Sequence, residues 1–156
     1  MSKSLTRVRA ALAEAGLDAE ILEMADSTRT AENASRAAGC HVDQIAKSII
    51  FRGEDSGHVI LFLTAGGNRV DPTKAARVAG QPLGKADAAL IRAETGFAIG
   101  GVAPIGHLRP ITAFFDRRLL DFPQVWAAAG TPRHIFAIAP DRLQAITRSC
   151  EADFIA

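Results

Sequence analysis

Of the 18 basic residues in the sequence only four are lysines, Lys3, Lys47, Lys74 and Lys85, and the other 14 are arginines. A lysine at a conspicuous place in such a chain needs a reason. Lys47 opens the run Lys47-Ser48-Ile49-Ile50-Phe51, whose β-branched and aromatic residues predict a strand. Strand alternation puts Lys47, Ile49 and Phe51 on one face and Ser48, Ile50 and Arg52 on the other. An ammonium on an apolar face has two uses. It snorkels to water at the rim of a core, or it stands at the mouth of a pocket, where it binds a phosphate or polarises a carbonyl. Both uses stay open from position alone.

A second group is the stretch Gly100-Gly101-Val102-Ala103-Pro104-Ile105-Gly106-His107, with three glycines and one proline in eight residues. Bare backbone N–H groups are what a carbonyl oxygen or oxyanion needs, because no side chain blocks its approach. The same composition also makes a tight turn between strands. His107 is a candidate base, or a ring that orients the loop through a hydrogen bond. Other chemistry lacks its residues. There is no G-x-S-x-G elbow, no H-E-x-x-H or C-x-x-C pair for a metal, and no Walker or G-x-G-x-x-G loop for ATP or NAD. Cys40 and His41 are adjacent, so their side chains point apart and the cysteine reads as structural. No metal and no cofactor is expected.

These groups need a scaffold, and 156 residues with 48% hydrophobic composition suffice for one compact domain. Eighteen basic and 17 acidic residues leave a net charge of +1, which argues against bulk-charge binding to DNA, as does the lack of a helix-turn-helix pattern. No apolar stretch reaches the roughly 20 residues of a membrane span, and no signal peptide is visible. Two cysteines, Cys40 and Cys150, make no disulfide framework, so a reducing cytoplasm is expected. Leu5, Val8 and Leu12 have helical spacing before Gly16, and 19–24 reads as a short strand. Thr30 caps a helix over 31–38 closed by Gly39, Asp71-Pro72 places a cap and an N1 proline before a helix over 73–79, and 87–94 reads as a further helix ended by Gly96. Residues 47–51 and 58–63 form a hairpin across the loop 53–57. Residues 111–115 and 135–139 read as buried strands, with a last helix over 140–148. Elements interspersed without a βαβ repeat predict an α/β fold of the α+β type, a mixed sheet packed by helices.

Thr30-Ala31-Glu32-Asn33-Ala34, Gln44-Ile45-Ala46-Lys47-Ser48-Ile49-Ile50-Phe51, Gly67-Asn68-Arg69-Val70-Asp71 and the stretch from Gly100 to His107 occur in order. Over about 5–146 the chain resembles the YbaK/ProX superfamily, free-standing relatives of the editing domain inserted in bacterial prolyl-tRNA synthetases. The resemblance implies a barrel-like mixed β-sheet surrounded by helices, one editing domain over 1–156, and an aminoacyl-tRNA deacylase that hydrolyses the ester of mischarged tRNA. Lys47 takes the position of the family's functional lysine, and Gly100, Gly101 and Pro104 that of its G-x-x-x-P loop. Ser48, Ile49, Val102, Ala103, Gly106, His107 and His134 fall on the substrate side. No protein nucleophile is then required, since a water or a ribose hydroxyl of the tRNA can attack an activated ester. Ser48 stands where relatives tend to have asparagine or threonine, and the chain has no tyrosine, so alanine, serine, threonine and cysteine all remain candidates, with tRNA-Pro as the carrier. Arg69, Lys74 and Arg77 are spaced to form a local patch for tRNA. Expected partners are the acceptor end of a mischarged tRNA and, optionally, a tRNA synthetase, with no DNA and no membrane. The protein is expected to be a monomer or weak dimer. The other function the residues allow is a non-catalytic tRNA- or synthetase-binding module of the same fold.

Overall fold

The computed structural model describes residues 2–25 and 27–156. Helix α1 (Lys3–Glu14) starts where the Ser2 hydroxyl accepts the N–H of Leu5, and buries Leu5, Val8 and Leu12 as one stripe. Strand β1 (Ile21–Glu23) leads to α2 (Ala31–Ala38), capped by Thr30 and ended by Gly39 in the left-handed conformation, φ 69°. A 3-10 turn at Val42–Gln44 precedes the hairpin of β2 (Ala46–Gly53) and β3 (Val59–Ala65). Next come α3 (Pro72–Ala79), β4 (Leu83–Lys85), α4 (Ala88–Thr95) and β5 (Thr112–Phe115). After a 3-10 turn at Arg117–Asp121, β6 (Val125–Ala128) pairs with β7 (His134–Ile138), and α5 (Pro140–Thr147) and β8 (Cys150–Glu151) follow. The caps at Thr30 and Asp71 are as expected, and Asp87, read from the sequence as the first residue of its helix, is instead the cap. Strands β4, β6 and β8 are additions, because Leu-Gly-Lys, Val-Trp-Ala-Ala and a two-residue pairing carry little strand signature of their own.

Five strands form a mixed sheet in the order β4-β2-β3-β5-β8, and three form an antiparallel sheet in the order β1-β7-β6. The mixed α+β architecture is therefore as expected, but the barrel is not: no sheet closes on itself. Strand β4 is too short to extend the pairing, reaching only Phe51, Arg52 and Gly53 of β2. An isolated parallel bridge of Ile45 with Trp126 links the two sheets. Beyond that bridge β2 and β6 part, and among the described residues 46–50 have a ladder partner only in β3.

Strand β3 is buried on both faces. Val59, Leu61, Leu63 and Ala65 point into the main core with Leu5, Val8, Phe97, Phe115 and Phe136. Ile60 and Phe62 point the other way, into a smaller core completed by Ala75 of α3 and by Phe154. Phe62 packs against Phe51, Phe114 and Phe154 with ring centroids 4.9–5.7 Å apart. The central hairpin is thus held from both sides, and it carries Lys47 at its rim.

Candidate functional site

The space left where β2 parts from β6 is a cavity of about 650 Å³. Its walls are Lys47, Ser48 and Ile49 of β2, the segment Thr28-Arg29-Thr30 with Glu32 of α2, Ile99, Gly100 and Val102 of the glycine stretch, and Trp126 and Ala128 of β6. It lies between regions as far apart in sequence as Thr28 and Ile135, which only the fold brings together.

Lys47 is half-buried on this wall. Its ammonium donates to the carbonyls of Gly66 (3.1 Å) and Asn68 (2.7 Å). That turn is itself held by two carboxylates. Asp43 accepts the N–H of Gly67 (2.8 Å) and is bonded by Arg118 Nε (3.0 Å). Buried Asp116 accepts the side-chain amide of Asn68 (2.9 Å), the N–H of Ala65 (3.0 Å) and the N–H of Arg118 (3.0 Å). An ammonium has three N–H donors; two of them meet these carbonyls, and among the described residues the third has no partner. Burial pushes the Lys47 ammonium below the ordinary lysine value; Glu32 pulls it back most, Arg69 lowers it further, and Asp43 and Asp116 raise it. Lys47 is therefore a half-buried cation on the cavity wall, its ammonium held by two backbone carbonyls.

The glycine stretch closes one end. Gly100 has φ 92°, and the side chain of Arg29 lies over it, so a Cβ there would meet Arg29 atoms at 3.0–3.1 Å. Gly101 is required by a close approach instead: a Cβ would lie 2.8 Å from the backbone of Thr131. The N–H of Gly101 already donates to the Ala98 carbonyl (3.2 Å), and Pro104 has none. Among the described residues the N–H groups of Gly100 and Val102, both on the cavity wall, have no acceptor. Ala103 and Pro104 are buried behind the wall. His107 donates Nε2–H to the Ala103 carbonyl (2.7 Å) and stands edge-on to Phe97, with burial lowering its pKa; it is a neutral ring that shapes the loop and is not on the cavity wall.

Other expected residues lie elsewhere. His134 sits on the opposite face of β7 from Ile135, which lines the cavity, and its Nδ1 is 2.6 Å from the Thr131 hydroxyl. Gly106 is a left-handed turn beside α1. Lys74 is withdrawn from the expected patch: its ammonium binds Asp153 (3.3 Å) and the Ile155 carbonyl (2.9 Å). Arg69 and Arg77 are exposed but off the cavity. The sequence reading missed Arg29, Glu32, Lys85 and Trp126 on the cavity wall. It also missed Arg7, whose guanidinium donates to the carbonyls of Gly96 (2.7 Å) and Gly106 (3.2 Å) and covers the Phe97 ring at 4.7 Å. Arg7 thereby pins both ends of the stretch. Lys85 had a signal in the scarcity of lysines; Arg7 had none.

Residues 25–146 match the family model of the aminoacyl-tRNA editing domain. The chain belongs to the aminoacyl-tRNA editing domain family. This is the superfamily the sequence resembles. Protein YwhH of Bacillus subtilis, itself uncharacterised, is 30% identical to this editing-domain chain over 140 residues, 90% of this chain and 88% of YwhH. A solved structure of a protein proposed as a trans-editing enzyme for prolyl-tRNA synthetase superimposes with a TM-score of 0.92 at 46% identity, covering 100% of this chain and 99% of the other. A scaffold protein solved in work on epitope backbone grafting superimposes at 0.93 with 44% identity, over 100% and 99% of the two chains. Among the described residues, no helix of the editing domain is long and apolar enough to cross a membrane.

Proposed function

We propose that this editing-domain protein is an aminoacyl-tRNA deacylase acting in trans, with residues 1–156 as one catalytic unit. The observation that carries the reading is Lys47, a half-buried ammonium on the cavity wall, held by the carbonyls of Gly66 and Asn68 and with no partner for its third N–H among the described residues. Gly100 and Val102, whose N–H groups have no acceptor among the described residues, line the same cavity. In the reaction, water adds to the ester carbonyl carbon and negative charge builds on the carbonyl oxygen. The bond to the ribose oxygen then breaks, and the proton from water passes to that oxygen. A prearranged cation and backbone donors stabilise the charge as it forms, with no reorganisation at the moment of reaction. Nothing in this route needs a protein nucleophile, in keeping with the lack of a nucleophile–base pair in the sequence.

The substrate we assign is a small aminoacyl group, alanyl, seryl, threonyl or cysteinyl, on tRNA-Pro. The relative proposed as a trans-editing enzyme for prolyl-tRNA synthetase supports the carrier. The cavity volume lies within the range of small-molecule sites and leaves room for the terminal ribose beside a small side chain. Deacylation of a panel of mischarged tRNAs by the wild type and by Lys47→Ala tests this. Hydrolysis of at least one small aminoacyl ester, lost in the variant, is the expected result; hydrolysis of none would end the deacylase reading.

A further inference from the structure

Among the described residues, four charged side chains line the cavity: Arg29, Glu32, Lys47 and Lys85. Three are cations and one is an anion. The acceptor end of an aminoacylated tRNA has the reverse inventory, several phosphates and a single cation, the α-ammonium of the amino acid. Three cations suit the phosphates and the ester oxygen. The carboxylate needs another explanation.

Glu32 lies in the first turn of α2, where the helix N-terminus favours a charged carboxylate. No ion pair or side-chain hydrogen bond holds its carboxylate among the described residues. It remains exposed to the cavity. Glu32 and Lys47 are also not paired with each other, although Glu32 is the strongest of the charges acting on Lys47. Both residues line the same cavity. In an aminoacyl ester the ammonium and the carbonyl are on adjacent carbons, so one substrate group can reach each.

We propose that Glu32 is the anchor for the α-ammonium of the substrate, and that with Lys47 it makes the cavity select a free aminoacyl ester over an N-acylated one. The ester carbonyl is oriented between the two charges, and a peptidyl or acetylated amine, which has no positive charge, lacks one of the two attachments. This deepens the deacylase reading and rests on it for its biological meaning. The binding itself can be measured without catalysis.

The test uses two non-hydrolysable analogues, 3′-alanylamino-3′-deoxyadenosine and its N-acetyl form, with wild type and Glu32→Gln. Glutamine keeps the size and helix position and removes only the charge. A charge-assisted bond is worth roughly 10- to 100-fold in affinity. Wild type is expected to bind the free amine that much more tightly than the acetylated analogue, and Glu32→Gln to bring the two together by weakening only the free amine. Equal binding of both analogues by wild type overturns the proposal. So does an equal loss for both in Glu32→Gln, which would mean that Glu32 only shapes α2. The deacylase reading has its own readout: analogue discrimination by a protein that hydrolyses no mischarged tRNA would sink the deacylase and leave the ammonium site standing. With alanyl-tRNA and N-acetyl-alanyl-tRNA as substrates, Glu32→Gln is expected to raise KM for the free amine and leave the acetylated ester unchanged.

Discussion

At the scale of single residues, the chemistry converges on one ammonium whose surroundings decide what it can do. Lys47→Ala removes the charge and leaves two carbonyls facing a small methyl group at a half-buried rim, so the fold is expected to survive with an unchanged circular dichroism spectrum. Deacylation should fall by about 10²–10³, the loss seen when one charge-stabilising donor is removed. Lys47→Arg keeps the charge, but its wide planar fork cannot replace a compact ammonium held by the Gly66 and Asn68 carbonyls. It should be impaired as well, and full activity in either variant would refute the role given to Lys47. The pH dependence follows from the same surroundings. Burial lowers the pKa of Lys47, and only the protonated form is the cation. Activity should therefore be present below that pKa and lost as pH rises through it, with the alkaline limb of kcat/KM below the ordinary lysine value of about 10.4. A limb at or above that value would show that Lys47 is solvated.

Among the elements, the site depends on two loops, and each is held from a distance. The turn 66–68 presents its carbonyls to Lys47 because Asp116 grips Asn68 and Ala65 while Asp43 grips Gly67. Asn68→Ala breaks the amide bond to Asp116 but keeps the backbone carbonyl. Lower kcat at nearly unchanged Tm is expected, checked by steady-state kinetics beside thermal melting; unchanged kcat would mean the turn is rigid without that bond. The other loop gives a contrasting result. Gly101→Ala puts a Cβ against the Thr131 backbone at 2.8 Å, so both Tm and rate should fall together, through displacement of the neighbouring Gly100 and Val102 donors. The contrast marks how far the sequence could be read. Thr30 and Asp71 announced their helices because a cap acts within three residues. Lys47 stood out as a scarce residue opening a strand. The grip of Asp116 on Asn68 spans 48 positions and that of Arg7 on Gly106 spans 99, and no local pattern encodes either. Strand β6, Val-Trp-Ala-Ala, owes its conformation to pairing with β7. The barrel failed for a related reason, since closure depends on strand pairings that no single segment specifies.

For the whole molecule, the balance of 18 basic and 17 acidic residues sets how a polyanion can be held. With a net charge of +1 there is no general attraction to draw tRNA in, so binding must come from local cations. Lys74 is neutralised by Asp153, which leaves Arg29 and Lys85 at the cavity and exposed Arg69 and Arg77 outside it. Each phosphate contact releases its share of counterions, so the slope of log affinity against log salt counts them. About two to four phosphate contacts are expected from this set, giving a slope of roughly −1.5 to −3 on single-stranded acceptor ends. Lys85→Ala should make that slope shallower by nearly one contact, whereas Lys74→Ala should leave it unchanged, because the Lys74 ammonium is already engaged by Asp153 and the Ile155 carbonyl. The comparison separates a local cavity-side grip from diffuse surface attraction. Measured by fluorescence anisotropy on tRNA over a salt series, a steep slope like that of a DNA repressor, or equal effects of the two lysine variants, would place the tRNA on a different face of the protein.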